Sequence, residues 1–124
     1  MRPAAVAVVQ VIDGRKADNW PNAEPVVVAD ALRATLSESD TLTHLQDGRF
    51  GVVLEDTAES GAIWTMERLR LHLEENHPSL TLWIGAACYP THAHTAGELI
   101  DRADTALAAA RKWHQSRIEV AVDE

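Results

Sequence analysis

The sequence predicts an α/β sandwich: one mixed sheet of about five strands, containing a hairpin, with helices packed over it. Three observations carry this. Short β-branched or apolar runs alternate with helical periodicities in the order strand, helix, strand, strand, helix, strand, helix, strand. The pair Asp47-Gly48 separates two strand-like runs, and both central residues of a type I′ turn need positive φ, which suits Asp-Gly. With 124 residues, 46% of them apolar, the chain is long enough for one core and too short for two.

Residues 4–12 (AAVAVVQVI), closed by Asp13-Gly14, read as a buried strand ending in a turn. Pro21 and Pro25 punctuate the next segment, and Pro25 suits the first turn of a helix running to about Leu36. Val28, Leu32 and Leu36 recur every four residues on its inner face. Residues 41–46 and 49–54 are the two strands of the Asp-Gly hairpin. Asp56 or Thr57 is placed to cap a helix over residues 58–76, with Ile63, Met66, Leu69, Leu71 and Leu73 as its apolar face. Residues 80–88 (LTLWIGAAC) form a strand with Gly85 in its middle, a sign of close backbone approach or a bulge, and Tyr89-Pro90 ends it. An alanine-rich helix over residues 95–114 turns Leu99, Ala103, Ala106, Leu107 and Ala110 inward, and residues 116–122 make a last strand.

Composition narrows the function. Eleven basic against nineteen acidic residues give a formal charge of −8, which repels nucleic-acid phosphates and anionic lipid. No apolar run approaches the roughly 20 residues of a membrane span, and no leader pattern opens the chain, so a cytoplasmic protein is expected. The single cysteine, Cys88, reads as a small buried side chain without a redox role. Four of the six aromatics are Trp, and Trp20 and Trp113 fall where partial exposure is expected, over an edge or a partner surface. His92-Ala93-His94 is weak as a metal site without an acidic or cysteine partner, and a solvated loop is the better reading. Asp101 and Asp104, one helical turn apart, read as polar-face or capping contacts.

From Val28 onward the motifs resemble those of the GGDEF domain, the catalytic domain of bacterial diguanylate cyclases, which join two GTP molecules into cyclic di-GMP. The carrying residues are VADAL (28–32), FGVVLEDT (50–57), ERLRLHL (67–73), LTLWIGAACYP (80–90), TAGELIDRADTALAAARK (95–112) and SRIEV (116–120). The resemblance implies the nucleotide-cyclase-like fold, with a mainly antiparallel central sheet. Such domains commonly sit within longer chains, so residues 1–124 read as one domain, whole in itself or cut from a multidomain chain.

Laid on this family, the hairpin tip Gln46-Asp47-Gly48-Arg49-Phe50 occupies the signature, of which only Phe50 is retained. The resemblance assigns metal binding to the third signature position and catalysis to the fourth, here Gly48 and Arg49. It places a second metal-binding aspartate at Gln10 and a further acidic residue at Ile12. Two Mg²⁺ ions would need oxygen ligands, usually carboxylates, and these positions retain at most the neutral amide of Gln10 and backbone carbonyls. Asp13, one register step away, is the available substitute, although a one-residue shift points it to the other face. Guanine recognition falls near Asp18 and Asn22, across a loop shorter by about five residues when VADAL is kept in register. The phosphate clamps fall on Arg111, which keeps its charge, and Gln115, which does not. The inhibitory product site, an Arg-x-x-Asp motif, is reduced to Ser37-Glu38-Ser39-Asp40, in which Asp40 alone persists without the arginine's bidentate donors.

The expectation is therefore a degenerate GGDEF domain, catalytically inactive and without cofactor. It would act as a regulatory or interaction module toward another protein domain, such as a phosphodiesterase or sensor domain in the same chain, or as a homodimer. The alternative is an active diguanylate cyclase using Mg²⁺ and GTP through a displaced metal site, or a GTP-sensing domain.

Overall fold

The computed structural model describes residues 2–13, 21–113 and 115–122. Its elements are β1 (Ala4–Asp13), α1 (Pro25–Thr35), β2 (Thr41–His44), β3 (Phe50–Glu55), α2 (Glu59–Asn76), β4 (Leu80–Tyr89), α3 (Ala96–Ala110) and β5 (Arg117–Val120). The strands form one five-stranded sheet in the order β2-β3-β1-β4-β5. β1 is central and antiparallel to both β3 and β4; β2 is antiparallel to β3, and β5 is parallel to β4. The parallel pair is the one joined through a helix, because a parallel connection must cross the length of the sheet.

Strand alternation divides the core in two. Ala5, Ala7, Val9 and Val11 of β1 face Val28 and Leu32 of α1 and Met66, Leu69 and Leu73 of α2. Val8 and Ile12 face Leu99, Ala103, Leu107 and Ala110 of α3 on the opposite side. Gly85 permits this second layer to close. A Cβ built there would lie 2.1 Å from the Ala103 carbonyl oxygen and 2.2 Å from the Leu107 nitrogen, so it is the helix backbone that approaches. β4 pairs with β1 without interruption, so the glycine serves close approach and makes no bulge.

Several boundaries and faces differ from the sequence expectation. α1 starts on Pro25 as predicted but stops at Thr35: Leu36 is the extended C-cap, and Ala31 and Thr35 join Val28 and Leu32 as its buried residues. α2 buries Ala62, Met66, Leu69 and Leu73, spaced four, three and four, whereas Ile63 and Leu71 are 39% and 47% exposed. Leu71 lies about 200° around the helix from Leu69, so the two cannot share a face. Neither Asp56 nor Thr57 caps this helix. Asp56 takes φ 50° in the tight exit from β3, the Thr57 hydroxyl donates to the Glu55 carbonyl at 2.7 Å, and Ala58 is the N-cap. Thr95 does cap α3, its Oγ1 accepting from the Glu98 N–H at 3.2 Å. That helix ends at Ala110, short of His114, which lies outside the described residues. The last strand is confined to Arg117–Val120.

At the hairpin the predicted turn is present. Asp47 and Gly48 have φ of 60° and 74°, and the Arg49 N–H donates to the Gln46 carbonyl at 3.3 Å. The strands are shorter than expected, β2 ending at His44 and β3 starting at Phe50.

Candidate functional site

Residues that the sequence places far apart converge where the end of β1, the hairpin tip and the end of α3 meet. Alternation puts Gln10 on the same side of β1 as Val8 and Ile12, the side that α3 covers. Arg111, the residue following α3, donates from Nε to Gln10 Oε1 at 2.6 Å. Gln10 Nε2 donates to Asn22 Oδ1 at 3.2 Å, and Asn22 Nδ2 donates to the Asp47 carbonyl at 3.1 Å. Asn22 is itself held along β1 by a bridge to Ile12. Flanking it, the Asp13 N–H donates to the Pro21 carbonyl at 2.8 Å and the Ala23 N–H to the Val11 carbonyl at 2.9 Å.

Arg49 turns toward α3. Its guanidinium is 2.6 Å from Asp104 Oδ1, with the two side chains 23% and 40% exposed, and its Nε donates to the Gln46 carbonyl at 3.3 Å. Partial burial and direct contact make this one of the stronger polar links between the hairpin and the rest of the fold. Asp104, read from the sequence as a polar-face contact on its own helix, is thus a tertiary partner 55 residues from Arg49. Asp101 stays exposed on that face.

The remaining predicted positions separate. Gln46, Asp47 and Gly48 form the tip, while Phe50 is buried and stacks on the His44 ring at a centroid distance of 4.6 Å. Ile12 is buried in the α3 layer and offers no side-chain oxygen. Asp13 ends β1 exposed, on the side of Val9 and Val11 and away from Gln10. Asp18 lies outside the described residues, as does Trp20. Gln115 lines a separate groove with Arg70, Leu73 and Pro78 at the end of α2. Asp40 is engaged by its own turn and by the end of β3: Oδ2 accepts from the Ser37 N–H at 3.0 Å and the Ser37 hydroxyl at 2.9 Å, and Oδ1 accepts from the Glu55 N–H at 3.3 Å.

At the positions that the resemblance assigns to metal, the structure therefore offers one side-chain oxygen, that of Gln10, and a guanidinium already occupies it. Hard divalent cations select clusters of anionic oxygen, which this donor set does not supply. Among the described residues no group of three or more His, Cys, Asp or Glu is arranged to hold a metal ion.

His92 corrects the expectation of a solvated loop. Its side chain is 3% exposed, the Cys88 N–H donates to its Nδ1 at 2.8 Å, and its Nε2 lies 3.7 Å from Glu59 Oε1. Nδ1 accepts, so the ring carries its proton on Nε2. His94, two residues on, is exposed. Trp113 is 43% exposed, as expected, with the Arg117 guanidinium 4.3 Å above its ring.

Cys88 is buried as predicted, and burial, followed by the nearby Glu59 carboxylate, pushes its thiol up to about 11. The folded state thus holds this proton more tightly than the unfolded chain. Stability from this group is complete below the ordinary thiol value of 9.0 and is lost as pH rises from there through about 11. A neutral thiol reagent at pH 8 is expected to leave Cys88 unmodified in the native protein and to react fully in denaturant; rapid native labelling would contradict its burial.

Comparisons with known proteins bear on the fold and the family of the chain. The family model described as diguanylate cyclase, GGDEF domain matches residues 26–117. The GGDEF domain of PA1120 (TpbB or YfiN) from Pseudomonas aeruginosa superposes with a TM-score of 0.80 at 24% identity, covering 98% of this chain and 78% of that one. The active GGEEF domain of a diguanylate cyclase from Vibrio cholerae gives 0.80 at 16% identity, covering 99% and 85%. P. aeruginosa diguanylate cyclase SiaD, in complex with its activator SiaC, gives 0.79 at 21% identity, covering 97% of this chain and 50% of that one. No curated protein sequence matches. At these identities the solved structures establish the fold, and the family model, spanning most of the chain, establishes the lineage: the protein belongs to the GGDEF domain family.

Proposed function

We propose that this GGDEF domain has lost diguanylate cyclase chemistry and serves as a regulatory or protein-interaction module in cytoplasmic cyclic di-GMP signalling. The observation that carries this reading is the Arg49–Asp104 ion pair. A guanidinium, fixed at 2.6 Å by a carboxylate of α3, stands at the signature position where the resemblance places the essential acid. Joining two GTP molecules needs divalent ions to neutralise the triphosphate and help activate the attacking hydroxyl, and the residues at the metal positions do not fit such ions. Asp13, the one nearby carboxylate on β1, falls on the opposite side of the strand from Gln10. The partner fitting this reading is another protein domain, a phosphodiesterase or sensor in the same chain, or a second copy of this domain. The complex of SiaD with its activator is a precedent for a GGDEF-family protein engaging a protein partner.

Purified protein incubated with GTP and Mg²⁺ or Mn²⁺ is expected to yield no cyclic di-GMP above a protein-free blank. Product that disappears on Asp13→Ala would establish a displaced metal site and overturn the reading. Calorimetry is expected to show weak or absent GTP binding; a low-micromolar Kd would favour a GTP-sensing domain instead.

A further inference from the structure

The geometry points to Asn22 as a strap: a neutral amide whose hydrogen bonds, and no metal ligation, fasten β1, the segment entering α1 and the hairpin tip together. The direction of every hydrogen bond supports it. Arg111 has donors only, so Gln10 must present its oxygen to Arg111 and its nitrogen to Asn22. That fixes the Asn22 oxygen toward Gln10 and its nitrogen toward the Asp47 carbonyl. Flipping either amide sets a donor against a donor, so the chain from Arg111 to Asp47 has one consistent polarity, in which each bond polarises the next.

The turn is shaped around this amide. A Cβ at Gly48 would lie 2.4 Å from Asn22 Nδ2 and 2.6 Å from Asn22 Cγ. Gly48 is therefore favoured twice, by its φ of +74° and by the Asn22 side chain packed against its backbone. At the other end, the backbone bonds of Asp13 and Ala23 to Pro21 and Val11 hold Asn22 in line with β1. Each side-chain link is exposed and individually modest, but the three act in series on a tip whose backbone closure rests on the turn bond and one bond from the Leu45 N–H to the Arg49 carbonyl, beside the Arg49 side-chain bonds to the Gln46 carbonyl and Asp104. The strap deepens the non-catalytic reading of this junction and rests on it for its meaning, while its measurement is separate: product assays test the chemistry, and hydrogen exchange tests the strap.

Amide exchange over residues 45–50 is expected to speed up several-fold to about tenfold in Asn22→Ala, the scale of one or two lost hydrogen bonds, with the central amides of β1 and β4 unchanged. Asn22→Asp keeps the shape but has no donor for the Asp47 carbonyl, and is expected to loosen the tip similarly. Gly48→Ala should displace the Asn22 amide, so its effect should be smaller in an Asn22→Ala background than in the wild type. Unchanged exchange in Asn22→Ala would overturn the proposal, as would full additivity of the two substitutions. So would Mg²⁺ slowing exchange at the wild-type tip, because the junction would then be cation-dependent.

Discussion

Gly85→Ala is expected to destabilise the fold by about 3 kcal/mol or more, a large part of the roughly 5–15 kcal/mol available to a domain of this size. The added methyl meets backbone, 2.1 Å from the Ala103 oxygen and 2.2 Å from the Leu107 nitrogen, so no side-chain rotation relieves it. α3 must lift from β4 or the strand must bend. Either movement opens the layer formed by Val8, Ile12, Leu99 and Leu107, which are nearly inaccessible to solvent. It also shifts Asp104 and Arg111, which hold the hairpin and Gln10 from α3. Chemical denaturation should show a lower midpoint at an unchanged slope. Stability within about 0.5 kcal/mol of wild type would mean that the helix approaches β4 less closely than described.

His92→Phe is expected to cost about 1–3 kcal/mol although it preserves an aromatic ring of similar size. The loss is the acceptor for the Cys88 N–H, a buried donor held at 2.8 Å. Replacing one partner leaves the other desolvated and unpaired, which costs more than the net worth of the original bond. The loop also loses a ring nitrogen beside Glu59, 3.7 Å away at the start of α2. His92→Asn, with a shorter side chain that still carries an acceptor, is expected to recover part of the loss. A Phe variant as stable as wild type would show that the N–H finds another acceptor.

Much of the fold was legible because hydrophobic periodicity is a local property. The β-branched run of β1, closed by Asp13-Gly14, and the four-residue recurrence of Val28 and Leu32 identify their elements without knowledge of neighbours. The Asp-Gly turn was equally legible, since positive φ at two successive residues restricts the residue types that fit. α2 was misjudged in phase. It carries Ile63, Trp64 and Leu71 on its solvent side as well as Met66 and Leu69 inside, so apolar content does not say which side meets the sheet. His92 was misjudged because a polar ring in a Pro- and Thr-flanked loop reads as solvated until a buried N–H is found opposite it.

The sequence by itself determined the order of elements, the position and handedness of the hairpin turn, and the residue types at the signature and metal positions. Only the tertiary structure decided what those residues do to one another. Arg49 meets Asp104 across 55 residues and Arg111 meets Gln10 across 101, pairings that no local pattern encodes. The physical reason is that burial periodicity follows from the geometry of a single strand or helix, whereas a polar side chain's partner is set by how separate elements converge in space. At this junction that convergence joins Arg49 to Asp104 and places Asn22 between Gln10 and the hairpin tip.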